Sequence, residues 1–84
     1  MLKVNFLQTT KDGQKECGYL MLESKKSKIK LRPAEGFKTM FQNIMHKEVT
    51  PEEKKQQQKD PWKWLESLPA KYSGAYLRAQ LEIV

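Results

Sequence analysis

A chain of 84 residues, 38% hydrophobic, with three Phe, three Tyr and two Trp, has material for one small core; a second domain and a disordered chain are both excluded. No run approaches the roughly 20 apolar residues that cross a bilayer. The opening Met1-Leu2-Lys3-Val4-Asn5-Phe6 lacks a signal-peptide core and Cys17 stands alone, so the expectation is a cytoplasmic protein without disulfides or a membrane partner. The net charge of +6 is uneven: Lys25, Lys26, Lys28, Lys30, Arg32 and Lys38 face a single acid, Glu35, between Ser24 and Lys38. The rest of the chain is nearly balanced.

The first third reads as strands. Leu2 to Gln8 carries Val4 and Phe6 on one side, and Cys17 to Glu23 is a second apolar run. Between them lies Asp12-Gly13, a pair favoured in two-residue hairpin turns. A turn there sets Phe6 opposite Tyr19 and Val4 opposite Met21, two apolar pairs on one face. Lys28 to Arg32 alternates strictly and ends at Pro33. A three-residue loop, Ser24 to Lys26, sets Ile29 beside Met21 and Leu31 beside Tyr19. The alternative register buries Lys28, Lys30 and Arg32 without partners, at a cost of several kcal/mol.

From Ala34 to Lys47 the spacing becomes helical, with Phe37, Met40, Phe41, Ile44 and Met45 on one stripe. Thr50-Pro51-Glu52-Glu53 is a strong helix start, yet Glu52 to Lys59 holds no apolar residue. Residues 48–60 therefore read as a polar connector, helical or open, that projects into solvent. Asp60-Pro61 restarts a helix that Pro69 is expected to stop after Leu68. Trp62, Trp64, Leu65 and Leu68 span an arc of roughly 160°, which leaves one Trp at the edge of the buried face. Leu77, Ala79, Leu81 and Ile83 then alternate with Arg78, Gln80 and Glu82 as a final strand. The fold class is α+β: an antiparallel sheet of three N-terminal strands plus a C-terminal strand, with one long and one or two short helices on one face.

The sequence offers little chemistry. One Cys and one His far apart do not make a zinc site, so neither metal nor cofactor is expected. Cys17 reads as a buried thiol and His46 as a cation near a helix C-terminus. The four glycines are scattered, so no phosphate loop is present. A small metal-free ribonuclease using His46, a carboxylate and nearby cations is a minor alternative.

The basic segment is the sharper candidate. The expected outer sheet face carries Lys3, Asn5 and Leu7, then Gly18, Leu20 and Leu22, then Lys28, Lys30 and Arg32, with Lys25 and Lys26 at the hairpin tip. Lys3, Lys25, Lys26, Lys28, Lys30 and Arg32 form the candidate nucleic-acid surface of a small non-enzymatic accessory or regulatory module with little base specificity. Its weakness is a lack of exposed aromatics, since Phe6 and Tyr19 are expected inside. The alternative is a protein-binding inhibitor or adaptor, of the kind a mobile element or phage encodes. It would meet its partner, or an acidic protein surface, through Leu7, Leu20 and Leu22 or through Trp62.

Overall fold

The computed structural model describes residues 1–74 and 76–84. Its elements, in chain order, are β1 (Leu2–Thr10), β2 (Gly13–Leu22), β3 (Lys30–Pro33), α1 (Lys38–His46), α2 (Pro51–Lys59), α3 (Pro61–Lys71) and β4 (Arg78–Ile83). The strands form one antiparallel sheet in the order β3-β2-β1-β4, so the α+β expectation holds. Alternation on β1 also holds, with Leu2, Val4 and Phe6 buried on the side that meets the helices; on β4 only Ala79 is buried, and Leu81 and Ile83, paired with Val4 and Leu2, remain exposed beyond the helical layer.

The β1–β2 register departs from the expected one. Thr10 pairs with Gly13, so the turn is Lys11-Asp12, and Gly13 closes it at φ 117°. Farther along, Leu7 pairs with Glu16 but Phe6 pairs with Gly18, leaving Cys17 as an extra residue in β2. Because side chains alternate with a period of two, one inserted residue moves everything beyond it to the opposite face. Val4 therefore faces Leu20, and Leu2 faces Leu22. Both leucines are fully buried, whereas Tyr19 and Met21 emerge on the other side, half-buried. The expected pairs Phe6–Tyr19 and Val4–Met21 do not form.

The bulge is fixed from both sides. The Cys17 carbonyl accepts from Ala34 N at 2.8 Å. Gly18 sits at φ 133°, and a Cβ there would lie 2.5 Å from Phe41 Cε2 and 2.5 Å from the Arg32 carbonyl oxygen. Only glycine fits that conformation and that gap. The β2–β3 register also moves by one residue, pairing Leu20 with Leu31, Met21 with Lys30 and Tyr19 with Arg32. The two offsets compensate. Ile29 and Leu31 still pack against the core, and Lys30 and Arg32 still point outward.

Helix α1 has nine residues, not the long span expected from Ala34. Ala34 to Phe37 forms a turn instead, with Phe37 N bonded to the Ala34 carbonyl at 3.0 Å and Gly36 at φ 88°. Phe41 and Ile44 enter the core, and Phe41 meets Phe6 edge-on with ring centroids 5.2 Å apart. In α3 the chain continues through Pro69 to Lys71. Trp64, Leu65 and Leu68 are fully buried, and Trp62 is the half-buried edge residue of the helix.

The polar connector is a regular helix. Thr50 caps α2 by accepting from Glu53 N at 3.2 Å, and Asp60 Oδ1 caps α3 by accepting from Lys63 N at 3.1 Å. Having no apolar stripe, α2 docks through Glu53. Its carboxylate accepts from the Trp64 indole at 3.3 Å and from Lys71 Nζ at 3.0 and 3.2 Å. Lys71 also donates to the Glu48 carbonyl at 2.9 Å, and the Tyr72 hydroxyl donates to Glu48 Oε2 at 2.6 Å. Burial pushes the Glu53 carboxyl up, but Lys71 and Trp64 outweigh it and hold the group below its ordinary 4.5. Burial, reinforced by Glu48, raises the Tyr72 phenol.

Two outcomes follow. Leu20→Lys places an unpaired charge in the core and removes several kcal/mol, enough to unfold a small domain, whereas Met21→Lys stays within about 1 kcal/mol of the parent in urea melts; the opposite ranking would contradict the register. Glu53 has a depressed folded pKa, so its contribution is present above 4.5 and disappears as pH falls through the folded value. With Glu53 and Lys71 side chains 24% and 33% exposed, Glu53→Gln is expected to cost about 1 kcal/mol at pH 7. The gap should close in acid; a gap independent of pH would contradict the docking role.

Candidate nucleic-acid interface

The structure divides the basic segment between two neighbouring surfaces. The first is the sheet face opposite the helices. One row across it holds Arg32, Tyr19, Asn5 and Gln80, and the next holds Lys30, Met21, Lys3 and Glu82. Lys3 Nζ lies 4.1 Å from the centroid of the Tyr19 ring, a favourable cation–π geometry. Asn5 Nδ2 donates to Glu82 Oε2 at 2.9 Å. Lys30 donates to Glu23 at 2.9 Å, and that hydrogen bond and charge hold the exposed Glu23 carboxyl below its ordinary value. Both partners are about half exposed, so the pair is weak.

The second surface is a cleft of about 700 Å³ between the β2–β3 hairpin tip, the end of α1 and the α2–α3 junction. Lys25, Lys26 and Lys28 line it with Ser27, Gln57 and Gln58, over apolar Ile29, Met45 and Pro61. The lining includes no carboxylate. Ser24 and Ser27 hold the tip in shape, with hydroxyl oxygens 2.9 Å apart and Ser27 N bonded to the Ser24 carbonyl at 3.1 Å.

Of the six basic candidates, Lys30 and Arg32 lie on edge strand β3, and Lys3 joins the same face from β1. Lys28 precedes the strand, which starts at Lys30, and belongs to the cleft with Lys25 and Lys26. The apolar alternative loses its centre, because Leu20 and Leu22 are fully buried by the bulge. Leu7 and Trp62 remain half-buried at separate places, on β1 and α3. Tyr19 is the residue that sequence reasoning missed on this face. The signal was present in Cys17-Gly18, since glycine inside a strand often marks a bulge. Gln57 and Gln58 had no such signal, because nothing in a polar run indicates which side chains will wall a cleft.

Cys17 is buried, with Sγ 3.8 Å from the Lys15 carbonyl oxygen, and burial raises its thiol above 9.0 despite the nearby Lys15 charge. His46 is exposed in the last turn of α1. Among the described residues no group of three or more His, Cys, Asp or Glu is placed to hold a metal, and no helix is long and apolar enough to cross a membrane. Comparison with protein-family models, curated proteins and solved structures finds no match to the chain.

Proposed function

We propose that this domain is a non-enzymatic accessory or regulatory module that binds single-stranded nucleic acid along the β3 edge. The observation that carries the reading is the grouping of Lys25, Lys26 and Lys28 around a cleft whose lining has no carboxylate. Lys30 and Arg32 continue this charge along the strand. Alternate strand residues are roughly 6.6 Å apart, comparable to the phosphate spacing of an extended single strand. A strand laid from the cleft toward Arg32 meets a cation at each phosphate, while Gln57, Gln58 and Ser27 supply neutral hydrogen bonds. Such contacts carry no base information, so affinity along the track depends on charge.

The open face also bears on the choice between single strand and duplex. Tyr19 stands beside Arg32 and Lys3, the combination of ring and cations on which unpaired bases stack. In a duplex the bases are already stacked on one another and present no free ring to Tyr19.

Five phosphate contacts, at Lys25, Lys26, Lys28, Lys30 and Arg32, imply a log–log salt slope near −3.5 for a single strand. Fluorescence anisotropy with a mixed-sequence oligonucleotide should then show about 100-fold weaker binding at 200 mM than at 50 mM salt. Replacing Lys25, Lys26 and Lys28 together by Gln should reduce the magnitude of the slope by about 2 and leave the circular dichroism spectrum unchanged. Absence of binding at low salt, or an unaltered slope in the triple variant, would contradict the proposal.

A further inference from the structure

Beside Tyr19, on the side away from Lys3, the sheet face opens into a depression of about 300 Å³ lined by Glu16, Gly18, Tyr19, Arg32, Pro33 and Ala34. Its volume is at the lower end for small-molecule pockets, suited to one ring system. The bulge creates it. Beyond Cys17 the β2 chain changes face, the Cys17 carbonyl binds Ala34 N at 2.8 Å, and Glu16 and Tyr19 emerge on the same side of the sheet.

The lining is chemically differentiated. Tyr19 contributes an aromatic ring to the lining, and Lys3 Nζ lies 4.1 Å from its centroid, reaching it from β1. Arg32 is exposed directly across from Tyr19 and supplies a planar cation for stacking or for a phosphate. Glu16 is exposed. Among the described residues no ion pair joins it to Arg32 or to any other cation, the pairs present being Lys30–Glu23 and Lys71–Glu53. An ionised carboxylate only accepts hydrogen bonds. It selects a ring that presents N–H donors and rejects one that presents carbonyl oxygens.

We propose that this depression is a nucleobase pocket, in which a single unpaired base stacks on Tyr19, its phosphate meets Arg32, and Glu16 reads its donor edge. Guanine is the base with the matching edge, because N1–H and the N2 amino group present two adjacent donors to the two carboxylate oxygens. Thymine and uracil present one N–H between two carbonyls, which face the carboxylate unfavourably. The inference rests on the phosphate track proposed above and adds one base-reading position at its Arg32 end.

The test compares two heptanucleotides at low salt: seven thymidylates, and the same strand with a single central guanine. The guanine strand is expected to bind about tenfold more tightly. Replacing guanine by hypoxanthine, which lacks the amino group, should lose part of that gain. Glu16→Gln should bring the ratio of the two affinities close to one. Tyr19→Leu should weaken the guanine strand about tenfold, and Tyr19→Phe should restore it, because the ring and not the hydroxyl does the stacking. Thermal melts of Glu16→Gln and Tyr19→Phe should match the parent, since Glu16 is exposed and phenylalanine keeps the ring beside Lys3. If the thymidylate strand binds with the expected salt slope but guanine adds nothing, the pocket is refuted and the track stands. If neither strand binds, both fall.

Discussion

The inserted residue at Cys17 decides which half of β2 faces the helices, and most of the molecule's surface chemistry depends on that choice. Cys17 itself is buried, and beyond it Leu20 and Leu22 enter the core. Gly18 is the pivot, held at φ 133° in a space where a methyl group would collide with the Phe41 ring and the Arg32 carbonyl. Without the extra residue, Tyr19 and Met21 would face the helices, and two leucines would face water. With it, the core receives the more apolar side chains, and the amphipathic tyrosine takes a position where its ring is stabilised by Lys3.

A different physical solution holds the helical layer together. Helix α2 buries no residue, so hydrophobic burial cannot dock it. It is positioned instead by one carboxylate at its N-terminus, which is capped by Thr50 and receives bonds from Trp64 and Lys71. The Trp64 ring is fully buried while its indole N–H finds an acceptor, which removes the desolvation penalty of an orphaned donor. This places Gln57 and Gln58 against the hairpin tip and gives the cleft its third wall. The polar helix thus links the folding of the core to the shape of the basic surface.

How much of this was legible in the sequence differs by element, for physical reasons. The four strands, the helix starts at Thr50-Pro51 and Asp60-Pro61 and the stripe of Phe41 and Ile44 are local signals, set by periodicity and by residues suited to a first helical turn. The outward direction of Lys30 and Arg32 was also legible, because the cost of burying unpaired cations excludes the alternative whatever the exact pairing. The length of α1 was not, since Gly36 and the Ala34–Phe37 turn spend the first residues of the apparent helix. Nor was the exposure of Tyr19: an Asp-Gly pair pointed to a register that was internally consistent and wrong. Pro69 misled in the other direction, since a proline near the end of α3 did not prevent a further turn. The candidate site depends on these non-local features, so the basic residues were legible one by one and their division between cleft and sheet face was not.

The central claim is that nucleic acid runs from the hairpin cleft along β3 to the Tyr19 face. The most direct test is an amide chemical-shift map of the domain titrated with a short single-stranded oligonucleotide. The account predicts the largest shifts at Lys25, Lys26 and Lys28, continuing through Lys30 to Arg32 and Tyr19, with β4 and the outer side of α3 unmoved. Shifts centred on Leu81, Ile83 or Trp62, or none at all at low salt, would contradict it.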